Sequence, residues 1–215
     1  MISRFEDYLK AFDERPPFCY EQLRIHRSVI EKRRALGSVE KALMDDRFLE
    51  DLHELLIKWG MAERGSKLVD LGSFKRNIRR RMDDICWFER FEISESPSIF
   101  DKRFVDKFTD LILGLEINEN KAKVVIGFKT LHHLLPNLVP PIDREYAGRF
   151  FCWHRRYFQD RQPQIIQEGL MTFNKIAREV DLKRFVGEGW RTSPTKIIDN
   201  AIVGYCMVEK LPRPS

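Results

Sequence analysis

The stretch that says most about the fold is residues 124–146, VVIGFKTLHHLLPNLVPPIDREY. Apolar side chains in its first half recur at the spacing of one helix face, at Val124, Phe128, Leu131 and Leu135. The prolines that follow cannot continue a helix, so residues 136–141 predict a stiff connector. Asp143 then stands where a second helix would begin. The stretch therefore predicts two helices joined by a rigid segment.

Helical spacing also runs through the rest of the chain. Pro16 and Pro17 should end a first helix, and Gly37 a second. Ser38 and Ser73 are expected to cap helices, and Thr192-Ser193-Pro194 predicts the start of the last one. We therefore predict an all-α, compact multi-helix globular fold. It forms a single domain over residues 1–215, with two helical lobes around a cleft (1–95 and 96–215) as the alternative division.

Composition excludes several classes of protein. The chain has 215 residues, of which 43% are hydrophobic, and 38 Lys+Arg against 33 Asp+Glu, giving a net charge of +5. No apolar run approaches the ~20 residues of a membrane span, and the first residues carry charge where a secretion signal would be apolar. The four cysteines lack C-x-x-C spacing, so we expect them to be reduced and mostly buried. A cytoplasmic protein without a membrane partner is predicted.

Basic residues cluster in two places that could hold a polyanion. The denser cluster lies within one predicted helix and consists of Lys75, Arg76, Arg79, Arg80 and Arg81. Arginine forks grip phosphate oxygens, which predicts DNA, or alternatively RNA, as the partner. The competing interpretation is a solvated face balanced by Asp83 and Asp84. A second set of candidate phosphate contacts comprises Arg144, Arg149, His132 and His133.

Aromatic residues are interleaved with the second basic set. They repeat at helical spacing at Tyr146, Phe150, Trp153 and Tyr157. Such a stripe is usually the core contact of a helix, although rings beside arginines also hold unstacked bases. Tyr146 and Trp153 are the better surface candidates because each carries a polar group.

Lys129 and Asp143 are the candidate catalytic residues. A lysine at the edge of an apolar helix face loses solvation, which lowers its pKa as an amine nucleophile requires. The proline connector could fold Asp143 back toward Lys129, where a carboxylate would stabilise a cationic intermediate. The structural alternative makes Asp143 a helix N-cap and Lys129 a surface residue with an extended stem.

The motifs Gly-Phe-Lys-Thr (127–130) and Val-Pro-Pro-Ile-Asp-Arg-Glu (139–145) resemble the central region of the helix-hairpin-helix DNA glycosylases. The resemblance implies that Lys129 is a Schiff-base nucleophile, that Asp143 is the essential carboxylate and that Gly127 belongs to the hairpin end. It covers only about residues 124–146. The hairpin sequence L-P-G-V-G of the family is replaced by residues 123–127, and the lysine-to-aspartate spacing is about one helical turn shorter.

These observations predict a DNA-repair-type glycosylase or abasic-site lyase that acts through a lysine Schiff base. The alternatives are a non-catalytic α-helical nucleic-acid-binding module and a helical interaction protein of a defence or regulatory complex. We expect no cofactor and no metal site, because His132 and His133 are adjacent and point about 100° apart on a helix. Asp199 is expected to have a structural role, contacting a loop or an arginine.

Overall fold

A computed structural model describes residues 1–63 and 66–212. In this part of the chain the protein is all-α, 66% helical, with twelve α-helices and no strands. The helices are α1 (Phe5–Glu14), α2 (Tyr20–Leu36), α3 (Val39–Met44), α4 (Asp46–Lys58), α5 (Leu71–Arg80), α6 (Met82–Phe88), α7 (Lys102–Gly114), α8 (Val124–Leu134), α9 (Arg144–Phe151), α10 (Tyr157–Asp160), α11 (Gln162–Glu179) and α12 (Pro194–Val208). The predicted fold class is confirmed.

Helix ends follow the local signals in most places. Ser38, Asp143 and Ser193 each accept a hydrogen bond from a backbone N–H in the first turn of the helix that follows. The prediction for Ser73 is wrong, because Asp70 caps α5 and its carboxylate accepts from the Ser73 backbone N–H at 3.0 Å. The segment that follows is two helices rather than one, with the break at Arg81.

The core is built around α8 and α12, whose side chains are buried over almost their whole length. One large apolar cluster draws on helices from both 1–95 and 96–215, and the division into lobes stays a prediction. Helix α1 packs closely along α12. At their contact a Cβ on Gly204 would lie 1.9 Å from the backbone oxygen of Tyr8, so only glycine fits there. These contacts hold α12 against the rest of the fold.

Three expectations about particular side chains are wrong. Trp153 is buried at 4% exposure and stacks on Phe151 with ring centroids 4.1 Å apart, so it is not a surface residue. Helix α9 ends at Phe151, and Cys152 adopts a left-handed conformation (φ 56°), so the aromatic stripe does not share one helix. Of the cysteines only Cys206 is buried, whereas Cys19 and Cys152 are exposed.

Among the described residues, none of the helices combines the length and the apolar character that crossing a bilayer would require.

Candidate active site

A pocket of about 120 Å³ opens where the loop before α2, the end of α4, α8, the proline connector and α12 meet. It is walled by aromatic rings and contains two lysines and two carboxylates. Its lining residues are Phe18, Gln22, Trp59, Lys129, Pro141, Asp143, Trp190, Lys196 and Asp199. The two predicted catalytic residues therefore lie in one cavity, together with residues that the sequence analysis did not connect to them.

Lys129 projects from α8 into this pocket, and its side chain is only 8% exposed. Its Nζ lies 3.7 Å from Oδ2 of Asp143 and 5.4 Å from the centre of the Trp59 ring. Burial lowers the pKa of the Lys129 amine, and the nearby Asp143 carboxylate opposes that shift. The amine is therefore enclosed and poorly hydrated, and the carboxylate nearest to it is that of Asp143, with Asp199 in the same pocket.

Asp143 combines both roles that were considered for it. One carboxylate oxygen accepts a hydrogen bond from the Glu145 backbone N–H at 2.8 Å and so caps α9, while the other faces Lys129. The connector 136–141 returns the chain to the face of α8 that carries Lys129. The cap fixes the carboxylate in place, which orients it toward the amine.

A second lysine–carboxylate pair lies in the same pocket. The Nζ of Lys196 is 2.5 Å from Oδ2 of Asp199, and both side chains are almost fully buried. Three aromatic rings surround this ammonium at 5.0–5.6 Å, those of Phe12, Phe18 and Trp190. The expectation that Asp199 contacts an arginine or a loop is wrong, since its partner is this lysine. Burial raises the pKa of the Asp199 carboxyl, and the Lys196 ammonium opposes that shift.

The predicted phosphate contacts of His132 and His133 do not fit the structure, because both rings have no exposed surface. They lie below the pocket beside a third buried ring, His26 of α2, whose Nδ1 is 2.9 Å from Nε2 of His133. Burial lowers the pKa of all three imidazoles, that of His133 to about 3, so they are neutral at pH 7. Sequence spacing offered no signal that His26 joins them.

The basic cluster of residues 75–81 is largely paired with acids, although Arg76 and Arg80 stay exposed to solvent. Lys75 pairs with Glu50 at 2.8 Å, Arg79 with Asp46 at 2.6 Å, Arg80 with Glu116 at 2.6 Å and Arg81 with Asp84 at 3.0 Å. The remaining member, Arg76, donates to the Ser73 hydroxyl at 2.9 Å. Lys75 and Arg81 keep only 16% and 25% of their side-chain exposure. This arrangement favours the interpretation of a balanced, solvated face.

The two arginines of the second basic set differ in their exposure to solvent. Arg144 is exposed at the start of α9, directly after Asp143. Arg149 pairs with Glu145 on the same helix and lies over the ring of Tyr146 at 5.6 Å. Arg144 is therefore the one of these two that remains accessible beside the pocket.

The role implied for Gly127 is wrong. It lies inside α8 rather than at the end of a hairpin, and residues 115–123 join α7 to α8. A Cβ at Gly127 would lie 2.8 Å from the Ile112 side chain, so this glycine allows α7 and α8 to pack closely. Lys129, two residues on, is thereby held by a tightly packed helix.

The aromatic walls were missed by the sequence analysis. Phe18 precedes α2, Trp59 follows α4 and Trp190 precedes α12, so each lies just outside a helix. Residues at helix ends fall outside the periodic pattern that identifies a shared face. Only the packing of α2, α4 and α12 brings these three rings together.

Comparisons of the chain with protein-family models, curated proteins and solved structures find no match. The class that fold and site define is thus an all-α protein with an aromatic-walled pocket that contains an enclosed amine and a carboxylate. Chemically, such a pocket can hold a small ring-shaped group, offer it a nucleophilic amine and stabilise a positive charge beside it.

Proposed function

We propose that this protein is a DNA glycosylase or abasic-site lyase in which Lys129 forms a Schiff base with the deoxyribose. The observation that carries the proposal is the position of the Lys129 amine, enclosed in a pocket and 3.7 Å from the Asp143 carboxylate. Schiff-base enzymes need an amine that is at least partly unprotonated, and desolvation favours that form. The proposal also fits the resemblance of residues 124–146 to the glycosylase family.

The chemistry can be followed on an abasic site. The free amine of Lys129 adds to the C1′ aldehyde carbon of the ring-opened sugar and forms a carbinolamine. Loss of water then leaves a protonated imine, whose positive charge lies next to the Asp143 carboxylate. The Asp143 carboxylate takes a proton from C2′ while the bond from C3′ to its phosphate oxygen breaks, so the 3′ phosphate leaves and the backbone is cleaved. Asp143 favours the cationic imine over the aldehyde, and the aromatic walls keep bulk water away.

The size of the pocket suits a group that has left the DNA stack. A cavity of about 150 Å³ accommodates one benzene ring, so a cavity of about 120 Å³ matches one sugar or one small ring. Enzymes that act on nucleotides extrude the target into a pocket of this kind. Trp59 and Trp190 would contact the faces of the inserted group, since their rings flank the cavity.

DNA is the proposed partner, and the exposed Arg144 is the best-placed side chain for its backbone. Arg144 lines a neighbouring cavity in which Asp143 also takes part, so a phosphate held there would lie near the carboxylate that the two cavities share. The basic cluster of residues 75–81 is less suited, because a DNA contact by any member except Arg76 would first break an ion pair. Binding without catalysis is an outcome that the following experiment distinguishes.

The test is borohydride trapping on a duplex with one abasic site. Wild-type protein should form a covalent adduct, and peptide mapping should place the reduced linkage on Lys129. Lys129→Gln should lose at least 100-fold in trapping yield and keep its affinity for the duplex. Lys175→Gln, which changes an exposed lysine of α11, is the matched control and should trap like wild type.

Three results would overturn the proposal in different ways. An adduct mapped to Lys196 would keep the lyase reaction and remove Lys129 from it. The absence of any adduct, with abasic or base-damaged duplexes, from a protein that still binds DNA would leave a non-catalytic binding module. A protein that neither traps nor binds DNA would exclude both.

A further inference from the structure

Three buried histidines form a compact group below the pocket. His26 comes from α2, and His132 and His133 come from α8. Their ring centroids are 5.0, 5.0 and 5.6 Å apart, and one ring nitrogen of each lies within 4.8 Å of the other two. Three imidazoles on one zinc ion, with Zn–N distances of about 2.0–2.1 Å, have centroids roughly 5 Å apart. The spacing of the rings therefore matches a shared ion.

Hydrogen bonds assign the protons on two of these rings. The Nδ1 of His132 lies 2.8 Å from the Val139 oxygen, and the Nδ1 of His133 lies 2.7 Å from the Lys129 oxygen. A backbone carbonyl only accepts, so each Nδ1 carries the hydrogen of a neutral ring and each Nε2 keeps its lone pair. The Nε2 of His132 is buried and has no hydrogen-bond partner. A buried lone pair without a partner is unfavourable unless something binds it.

His26 completes the same pattern. Its Nε2 lies 2.7 Å from the Thr192 hydroxyl, which is able to accept a hydrogen bond. The 2.9 Å contact of His26 Nδ1 with His133 Nε2 is a hydrogen bond when Nδ1 carries the proton and the Thr192 hydroxyl donates to Nε2. When an ion binds, the His26 proton moves to Nε2, where the Thr192 hydroxyl accepts it, and each of the three rings then has an oxygen acceptor on one side and directs a lone pair into the cluster. Metal-binding histidines are oriented by acceptors in this way.

We propose that His26, His132 and His133 form a zinc site, with His26 Nδ1, His132 Nε2 and His133 Nε2 as the ligands. Three neutral imidazoles are a ligand set that binds zinc in proteins. The two nearest lysines, Lys129 and Lys196, are each balanced by a carboxylate, which limits their repulsion of the ion. The ion would join α2 to α8 directly below Lys129. This inference does not depend on the proposed reaction.

The test measures zinc bound to the untagged, full-length protein. Metal-free protein is titrated with Zn²⁺ against a chromophoric chelator, and its melting temperature is recorded with and without the ion. Three variants keep the outer hydrogen bond and delete the ligand nitrogen: His132→Asn and His133→Asn retain a donor at the Nδ1 position, and His26→Gln retains one at the Nε2 position. His53→Gln is the control, since His53 lies on α4 and contacts the Val69 oxygen instead.

Wild type and the control should bind one equivalent of Zn²⁺ and melt several degrees higher with it. Each of the three variants should lose at least tenfold in affinity and show a smaller shift. Wild-type protein that binds no Zn²⁺, or that melts at the same temperature with it, would overturn the site and leave a purely proton-linked network. Stoichiometric binding of Cu⁺ but not Zn²⁺ would overturn the choice of ion, and equal binding by all variants would overturn the choice of ligands.

Discussion

The two lysine–aspartate pairs of the pocket contain the same chemical groups and differ in how the chain brings them together. Lys196 and Asp199 are three residues apart on α12, and their charged atoms meet at 2.5 Å. Lys129 and Asp143 come from different elements, are 3.7 Å apart, and the carboxylate remains 28% exposed. The Lys196–Asp199 pair is in direct, buried contact, whereas the Lys129–Asp143 pair is more widely separated and faces the cavity.

This difference indicates separate roles. On a helix, residues three apart lie on one face, so Lys196 and Asp199 meet whatever the rest of the fold does. Their contact is enclosed by rings and satisfies both charges. Lys129 instead has one longer contact and open space beside it, so its amine remains able to react. We therefore expect the first pair to stabilise the fold, whereas the second pair is the one to which the proposed chemistry belongs.

The largest expected effect is the loss of a counter-charge from the Lys196–Asp199 pair. Asp199→Ala should lower the free energy of unfolding by about 3–5 kcal/mol, because it leaves the buried Lys196 ammonium without a partner. Urea unfolding followed by circular dichroism measures it. The double variant Lys196→Met with Asp199→Leu should recover most of the loss, since apolar groups need no partner. A loss below 1 kcal/mol in the single variant would show that the Lys196 ammonium does not depend on Asp199 as a buried counter-charge.

The next effect concerns the pH dependence of stability. Burial lowers the pKa of Lys129 in the folded protein, so the unfolded chain binds more protons between that lowered pKa and the ordinary value of 10.5. The free energy of unfolding should therefore rise with pH in this window, by up to about 1.4 kcal/mol per pH unit. Lys129→Gln should remove that contribution and Lys175→Gln should not. Metal-free protein unfolded with urea at several alkaline pH values provides the measurement, and identical slopes in both variants would contradict it.

Asp143 allows its two roles to be separated. Asp143→Ala should lower stability by about 1 kcal/mol, because the cap on α9 is lost. Asp143→Asn should change it by a few tenths at most, since asparagine caps helices as well as aspartate does. Both variants remove the carboxylate that faces Lys129. Thermal melts of the pair measure the difference, and equal losses would mean that charge rather than capping sets the stability here.

The smallest effect is expected on the surface. Arg80→Ala breaks an ion pair with Glu116 in which both side chains are more than half exposed. Exposed pairs of this kind contribute about 0–1 kcal/mol, so the unfolding free energy should change by less than about 0.5 kcal/mol. Urea unfolding at low and high salt would detect a larger contribution. A loss of unfolding free energy as large as that of Asp199→Ala would contradict the expectation that buried ion pairs stabilise this fold more than exposed ones.

Much of the local structure could be predicted from the sequence. The proline connector, the caps at Ser38, Asp143 and Ser193, and the helical spacing around Val124 all act over a few residues. The two wrong predictions of local structure, the cap at Ser73 and one continuous helix after it, also have local causes. Asp70 outcompetes Ser73 as a cap, and the chain breaks at Arg81 inside a segment whose composition suits one continuous helix.

The candidate site was predictable only in part. Lys129 and Asp143 stand out because a lysine on an apolar helix and an aspartate after prolines are unusual in themselves. Their distance depends on how the connector returns, which sequence spacing does not determine. The basic cluster of residues 75–81 was misleading for the same reason. Its cations form ion pairs with Asp46, Glu50 and Glu116, which are distant in the sequence and come close only in the fold.

The sequence by itself determined the helical class and most helix ends, and it singled out Lys129 and Asp143, two of the residues that line the pocket. These follow from periodicity, capping and proline geometry, which are interactions between near neighbours in the chain. Only the tertiary structure decided that Phe18, Trp59 and Trp190 form the walls and that His26 joins His132 and His133. Those groups are brought together by the burial of apolar surface across the whole fold. The apolar pattern of a helix predicts which of its faces is buried, but it does not predict which distant residues that face will contact.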